Sequence, residues 1–161
     1  MNFDTISHSH YCSHATFKWC GLTIGIIVAR YNWPITGALL ALGYQELLDL
    51  GVAVENIHVV HVPGSYELAP IAQAMLTHDI YDALICIGCV MKGETRHDVI
   101  VGDSAAQGIQ RVALDTGVPI ILGVLCAENQ QQAKERIPRG QEFAQAAVEV
   151  ACTSRLLRQK R

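Results

Sequence analysis

The chain has 161 residues, of which 50% are hydrophobic, 17% charged and 6% aromatic, and its net charge is −3. These values predict one folded domain and exclude a disordered or collagen-like chain, and the charge balance is not that of a nucleic-acid-binding protein. The longest apolar runs, 22–29 and 83–91, have about nine residues or fewer, whereas a membrane-spanning helix needs ~20. The surplus of apolar residues over an ordinary domain indicates contacts between subunits.

Short apolar runs alternate with amphipathic segments along most of the chain. Buried parallel strands are typically continuous, β-branched apolar runs, and glycine or proline marks the ends of the helices between them. We predict a polar, flexible tail over 1–20, one domain over 21–157 and a basic tail over 158–161. The predicted strands cover 22–29, 57–62, 83–88 and 119–125, and the predicted helices cover 36–50, 66–77, 98–116, 129–136 and 141–157.

The first helix shows how these boundaries are assigned. Pro34 places residues 30–35 in a loop, Thr36 is a favoured N-cap residue, and Gly51 follows at the usual C-terminal position. The last two helices are separated by Pro138 and Gly140. Strands alternating with helices of these lengths predict an α/β fold, a parallel sheet with helices on both faces. Functional groups in such folds gather at the carboxyl ends of the strands, here in the loops 30–35, 63–67, 89–97 and 126–129.

Four basic residues without an acidic neighbour end the chain: Arg155, Arg158, Lys160 and Arg161. We interpret them as the frayed, solvated end of the last helix, where positive charge suits the helix dipole. Binding of RNA or of an anionic surface is the alternative, but the rest of the chain carries more acidic than basic residues.

The six cysteines are Cys12, Cys20, Cys86, Cys89, Cys126 and Cys152. Two of them, Cys86 and Cys89, have the spacing of a redox or zinc motif, but they lie in an apolar run without a second pair, so we interpret them as structural. No signal peptide is recognisable, which predicts a reducing, cytoplasmic location. The His-rich segment 7–14 has a metal-binding composition, but a disordered tail is the interpretation we favour because no scaffold fixes its side chains.

The third loop, 89–97, is the richest in polar groups. Gly93 allows close backbone approach, and the N–H groups of Glu94 and Thr95 precede a predicted helix, which is a favourable place for a phosphate. His97 supplies an imidazole, the side chain best suited to proton transfer near neutral pH. A turn followed by a helix-capping imidazole is the alternative.

The first two loops supply aromatic rings: Tyr31, Trp33 and Tyr66, with Glu67 beside the last. Such rings can stack on a planar heterocycle while backbone groups bind its edge. The alternatives are a core ring for Tyr66 and, for Glu67, an acid favoured in a first helical turn. The chain has neither a glycine-rich nucleotide-binding motif nor the Gly-x-Ser-x-Gly of serine hydrolases.

Five stretches of the chain carry a resemblance to a known family. They read Ala-Arg-Tyr-Asn (29–32), Val-Pro-Gly-Ser-Tyr-Glu-Leu (62–68), Gly-Cys-Val-Met-Lys-Gly-Glu-Thr-Arg-His (88–97), Val-Pro-Ile-Ile-Leu-Gly-Val-Leu (118–125) and Gln-Ala-Lys-Glu-Arg (132–136). Together they resemble the 6,7-dimethyl-8-ribityllumazine synthase family, and the likeness covers roughly residues 20–157. It implies a flavodoxin-like three-layer sandwich with a four-stranded parallel sheet, and a homo-oligomer, a pentamer or a multiple of it, with active sites between subunits.

The resemblance implies the penultimate step of riboflavin biosynthesis. In that step 5-amino-6-(D-ribitylamino)uracil and 3,4-dihydroxy-2-butanone 4-phosphate condense to 6,7-dimethyl-8-ribityllumazine, phosphate and water. It implies that Tyr31 stacks on the pyrimidine. The ring and the ribityl chain would contact Ser65, Tyr66, Glu67, Cys89, Val90 and Met91.

The resemblance also implies how the second substrate is held. The backbone N–H groups of Glu94 and Thr95 would bind its phosphate together with Arg136 of a neighbouring subunit, and His97 would transfer protons. It implies no metal, nucleotide or redox cofactor, and it suggests riboflavin synthase as a further partner; neither nucleic acid nor a membrane is expected as one.

Three features depart from the family pattern. Leu122 stands at a ring-contact position where many members have phenylalanine. Arg96 and Asp98 flank the histidine where a small or polar residue and an aromatic residue are common. The connection 136–140 is shorter than usual, and our alignment puts Arg139 and Glu142 at a basic and an acidic position of that region. Because this connection influences assembly, the order beyond a pentamer is left open.

Two other functions are weighed against the synthase. A non-catalytic flavin- or lumazine-binding protein on the same scaffold would have no need of His97, Arg136 and the loop 93–95 together. A flavodoxin-like signalling module would need a phosphoacceptor aspartate at a strand end, and none stands there. We therefore predict the synthase.

Overall fold

The computed structural model describes residues 21–159. They form four strands, β1 (Ile24–Ala29), β2 (Ile57–Val62), β3 (Ala83–Met91) and β4 (Ile120–Ala127), and five α-helices, α1 (Trp33–Asp49), α2 (Leu68–His78), α3 (His97–Thr116), α4 (Gln130–Lys134) and α5 (Arg139–Gln159). All strand pairs are parallel, and the sheet order is β2-β1-β3-β4. The prediction of a four-stranded parallel sheet is confirmed.

The sheet separates two apolar cores. Successive residues of a strand point to opposite faces, so Ile26 and Val28 share a core with residues of α1 and α5, whereas Ile27 shares a core with residues of α2 and α3. All six residues of β1 are buried, as expected for a strand covered on both faces. The result is a three-layer sandwich, which confirms the flavodoxin-like fold.

Helices α1 and α5 approach each other at two glycines. A Cβ added to Gly140 would lie 2.5 Å from the carbonyl oxygen of Leu39, and one added to Gly43 would lie 3.0 Å from the carbonyl oxygen of Gly140. Only glycine permits so close a backbone approach. Gly140 belongs to α5, which begins at Arg139, whereas the prediction placed the start of this helix after the glycine.

The start of α1 differs from the prediction. The helix begins at Trp33 instead of Thr36, because Pro34 falls in the first turn, where the N–H that proline lacks has no helical partner. Asn32 is the N-cap residue, and Thr36 is buried within the helix. Proline here starts a helix and does not extend the loop.

The end of β3 also differs from the prediction. The strand continues to Met91 instead of ending at Gly88, because it pairs with β4 as far as Met91 and Ala127. Val90 and Met91 are therefore strand residues rather than loop residues.

The basic end of α5 is anchored, so the prediction of a frayed helix end is wrong for both arginines that the structure describes, although both side chains are exposed as predicted. Arg155 donates hydrogen bonds to both carboxylate oxygens of Asp82, at 2.6 and 2.7 Å, and to the carbonyl oxygen of Gly21 at 2.6 Å. Arg158 donates to the carbonyl oxygen of Gly117, and α5 continues to Gln159.

Within residues 21–159, no helix is long and apolar enough to cross a membrane. The predicted tail over 1–20, with its His-rich segment, Cys12 and Cys20, lies outside the described residues, as do Lys160 and Arg161.

We predict that Arg155→Ala lowers the free energy of unfolding by about 1.5–3 kcal/mol, the range for hydrogen bonds to charged groups. The substitution leaves the Asp82 carboxylate, which is only 15% exposed, without its cation. Arg111→Ala is the matched control, because both side chains of its 2.6 Å ion pair with Asp115 are more than half exposed to solvent, and it should change stability far less. Chemical denaturation measures both variants, and equal losses would contradict the prediction.

Candidate functional site

The carboxyl ends of three neighbouring strands surround one cavity. In an open α/β sheet, ligands bind where the strand order reverses, which in the order β2-β1-β3-β4 is between β1 and β3. The loops after β1 and β2, the end of β3 and the start of α3 enclose a cavity of about 720 Å³ at this point. A cavity of this size suits small-molecule substrates.

The loop after β1 presents an aromatic ring to the cavity. The N–H of Arg30 donates to the carbonyl oxygen of Val62 at 2.8 Å, and the N–H of Tyr31 donates to that of Pro63 at 3.0 Å. Asn32 follows in the left-handed conformation (φ 60°, ψ 40°), which asparagine adopts more readily than most residues. The ring of Tyr31, 72% exposed, lines the cavity and can stack on a planar ligand.

The loop after β2 places a carboxylate and a second ring on the cavity wall. It forms one 3-10 turn over Ser65–Glu67, in which the N–H of Gly64 donates to the Glu67 carboxylate at 2.9 Å and so fixes it. Ser65 is buried against Gly88 of β3, where a Cβ would collide with the serine hydroxyl. Tyr66 is 58% exposed, which excludes the alternative of a core ring.

The end of β3 forms the floor of the cavity. β1 pairs with β3 only as far as Val28 and Ile87, whereas β3 continues for four more residues. Of these, Cys89, Val90 and Met91 line the cavity. One backbone edge of β3 therefore faces the cavity with no strand from the described part of the chain beside it.

The loop after β3 is tied to the loop after β4. The N–H of Lys92 donates to the carbonyl oxygen of Ala127 at 2.8 Å, and the Lys92 ammonium forms an exposed ion pair with Glu128, also at 2.8 Å. The hydrogen bond and charge of Glu128 raise the pKa of Lys92, with a smaller effect from Asp98. Both the backbone and the side chain of Lys92, the first residue after β3, are thus bonded to the end of β4 and the residue after it.

The N-terminus of α3 meets the cavity beside these groups. This helix of 20 residues begins at His97, whose N–H lies 3.4 Å from the hydroxyl of Thr95. The N–H groups of Glu94 and Thr95 donate to no other residue within 21–159 and lie at the positive end of the helix dipole. Gly93, Thr95 and His97 line the cavity, so the loop can take a phosphate close to an imidazole.

The two cysteines with C-x-x-C spacing point to opposite faces of β3. Cys86 belongs to the core with α2 and α3, and Cys89 to the core with α1 and α5. Burial raises the pKa of Cys86 to about 12 and is the main cause that raises that of Cys89 to about 11, so both are thiols at neutral pH. Their structural interpretation is confirmed, and no group of three or more potential metal ligands occurs within the described part of the chain.

Three of the predicted site residues do not line this cavity. Glu94 has an exposed side chain in the loop before α3. Leu122 lies on the edge strand β4 and is 48% exposed. Arg136 follows α4, and its guanidinium donates to the carbonyl oxygen of Gln132 at 2.8 Å. The cavity within one chain is therefore built without these three side chains.

Sequence reasoning missed one wall of the cavity and one contact. Asp98, Ile100 and Val101 of α3 line the cavity with His97. Ile100 and Val101 follow His97 by three and four positions, which places them on its face of the helix, so this wall was predictable once the helix start was known. The side-chain amide of Asn32 donates to the carbonyl oxygen of Cys89, 57 positions away, at 2.8 Å. No local pattern in the sequence indicates that contact.

Comparison with known proteins identifies the family. Residues 21–155 match the family model of 6,7-dimethyl-8-ribityllumazine synthase. The synthase of Paracidovorax citrulli is 46% identical over 131 residues, which cover 81% of this chain and 85% of that protein. The synthase of Thermococcus kodakarensis is 38% identical over 148 residues, 89% of this chain and 94% of that protein. The chain therefore belongs to the 6,7-dimethyl-8-ribityllumazine synthase family.

Proposed function

We propose that the cavity condenses 5-amino-6-(D-ribitylamino)uracil with 3,4-dihydroxy-2-butanone 4-phosphate to give 6,7-dimethyl-8-ribityllumazine, phosphate and water. The observation that carries the proposal is that an exposed aromatic ring, an unpaired strand edge and a helix N-terminus share one cavity. These three features suit a planar heterocycle with polar edges and a phosphorylated second substrate.

The pyrimidine is proposed to lie over the strand end. Stacking on Tyr31 is supported by the exposure of its ring beside the cavity. The alternating N–H and carbonyl groups of a free strand edge complement the alternating carbonyl and N–H groups of a uracil ring. The proposed contacts of the ring and the ribityl chain are Ser65, Tyr66, Glu67, Cys89, Val90 and Met91, all of which line the cavity.

The butanone phosphate is proposed to bind at the start of α3. The N–H groups of Glu94 and Thr95 are available there, and the helix dipole favours an anion. Arg136 of a neighbouring subunit would supply the cation, because guanidinium binds phosphate in a bidentate manner. Its position away from the cavity of its own chain supports a contribution in trans.

In the proposed reaction, the main task of the protein is to position the two substrates. The 5-amino group attacks the ketone, and loss of water gives an imine. His97 removes a proton next to the imine, phosphate leaves, and the resulting enol becomes a ketone. The ribitylamino nitrogen attacks this ketone, and loss of the second water closes the ring. Holding two reactive substrates together accounts for much of the acceleration. The steps are additions and eliminations with no net oxidation, so they require no redox cofactor.

A homo-oligomer, a pentamer or a multiple of it, is proposed to complete the site. Arg136 and Leu122 would reach a neighbour's cavity, and the exposed apolar residues Leu114, Leu156 and Leu157 support contacts between subunits. The buried thiols of β3 suit a reducing compartment, which supports a cytoplasmic location. Riboflavin synthase, which would consume the lumazine, is the proposed further partner.

Purified protein mixed with both substrates should form lumazine faster than the spontaneous reaction, followed by lumazine absorbance. In gel filtration the activity should elute with the oligomer, because a monomer lacks the neighbour's arginine. A rate equal to the spontaneous one would refute the synthase and favour a binding protein. An active monomer would refute the shared site.

Arg136→Ala should raise the KM for the butanone phosphate by about tenfold or more, the loss expected for a charge-assisted hydrogen bond. The KM for the pyrimidine should change little, because the arginine is assigned to the phosphate alone. Lys134→Ala is the control, since this basic residue belongs to the same segment and carries no proposed contact. Steady-state kinetics with each substrate varied in turn measures the difference, and equal effects on both KM values would argue against the assignment.

His97→Ala should lower kcat by less than about 100-fold, the lower end of the range for general acid–base catalysis. The expected effect is modest because positioning of the substrates carries much of the rate. His78→Ala at the end of α2 is the control. Complete inactivation of a folded His97→Ala protein would contradict this account.

A further inference from the structure

The edge of β3 that faces the cavity can be assigned residue by residue. Along a strand, the N–H and carbonyl groups of alternate residues point to the same edge. The N–H groups of Leu84 and Lys92 donate to Pro119 and Ala127 on the β4 side, so even-numbered residues of β3 face β4. The peptide groups of Cys89 and Met91 therefore face the β1 side. Because the pairing with β1 ends at Ile87, no strand formed by residues 21–159 lies beside Met91 on this side.

Asn32 occupies part of this unpaired edge. Its side-chain N–H donates to the carbonyl oxygen of Cys89 at 2.8 Å, in the place that the next hydrogen bond of a longer β1 would take. Asparagine at an N-cap usually binds the backbone of its own helix, but the side chain of Asn32 makes no such hydrogen bond. It is also the only non-glycine residue with positive φ within 21–159. Its backbone and its side chain thus both serve the contact with β3.

Two consequences follow for the cavity. The Cys89 carbonyl oxygen already accepts one hydrogen bond, which makes it a weaker acceptor for a ligand than the peptide group of Met91, the next residue on this edge, which also lines the cavity. The same bond fixes the loop that carries Tyr31, the residue before Asn32, relative to β3. The hydrogen bond thereby fixes the position of the Tyr31 ring, which would stack on a ligand, relative to the backbone of β3, which would bind the ligand's edge.

We propose that Asn32 is a positioning residue for the pyrimidine: by binding the Cys89 carbonyl it leaves the N–H and carbonyl of Met91 to recognise the uracil edge under Tyr31. The inference rests on the proposed function, because it assumes that the pyrimidine occupies this part of the cavity. Without Asn32, the Cys89 carbonyl becomes a second free acceptor two residues before Met91. The uracil ring can then bind at a position shifted along β3. Asn32 acts through Cys89 and Tyr31 and needs no contact with the substrate.

Two variants separate the side chain from the backbone. Asn32→Gly keeps the left-handed conformation and removes the amide, and Asn32→Asp keeps the shape but replaces the donor by an acceptor. Both should raise the KM for the pyrimidine about tenfold or more, while the KM for the butanone phosphate stays within about twofold, since no hydrogen bond of Asn32 within residues 21–159 reaches the start of α3. Asn56→Gly, at the opposite end of the sheet before β2, is the control and should change neither KM.

The outcomes of this experiment are distinct. An unchanged pyrimidine KM in folded Asn32→Gly protein would overturn the inference, as would equal rises in both KM values, which indicate general loosening of the cavity. Absence of lumazine formation by the unmodified protein would refute the proposed function itself. The KM comparison is made only against an active unmodified enzyme, so the two failures cannot be confused.

A second measurement needs no variant. Cys89–Val90 is the only Cys–Val pair in the sequence and Met91–Lys92 the only Met–Lys pair. Protein labelled with carbonyl-13C cysteine and 15N-valine therefore gives one NMR correlation, which reports the Cys89 carbonyl. Protein labelled with carbonyl-13C methionine and 15N-lysine gives one that reports the Met91 carbonyl. Saturation of the full-length protein with the pyrimidine should shift the Met91 carbonyl and leave the Cys89 carbonyl nearly unchanged. A shift of Cys89 as large as that of Met91 would overturn the inference.

Discussion

The candidate site depends on the unequal reach of two neighbouring parallel strands. β3 is paired with β4 as far as Met91, but β1 leaves it after Ile87. A strand edge that is unpaired on one side and held rigid on the other is stable only if something satisfies its peptide groups. The loop after β1 satisfies one of them, because Asn32 donates to the Cys89 carbonyl, and the peptide group of Met91 remains open to the cavity. The fold thus exposes this edge to the cavity because β1 stops pairing before β3 ends.

The remaining parts of the cavity are assembled around that edge from separate elements. The turn after β2 approaches β3 closely because Gly88 has no side chain, which brings a carboxylate and an aromatic ring to the cavity. The start of α3 adds backbone donors and an imidazole on the other side. The backbone positions that carry these groups are set by strand pairing, a 3-10 turn and a helix start. Such preorganisation suits a reaction whose substrates are already reactive.

The sequence predicted local features well and non-local ones poorly. Strand and helix identities followed from periodicity, and the family motifs named nine of the residues that line the cavity. The end of β3 was missed because it is fixed by pairing with β4, and the start of α1 was missed because proline ends a helix or begins one depending on its position. The contacts of Asn32 with Cys89 and of Arg155 with Asp82 join residues 57 and 73 positions apart. No window along the chain contains both partners of either contact.

The Arg155 anchor has a topological consequence. Arg155 binds Gly21, just before β1, and Asp82, just before β3, so the first and the last of the described residues meet at the amino edge of the sheet. The cavity lies at the carboxyl edge, on the opposite side. A polypeptide joined directly to Gly21 or to Gln159 would start from the side of the sheet opposite the cavity, and a short linker between these two positions would suit a circularly permuted domain.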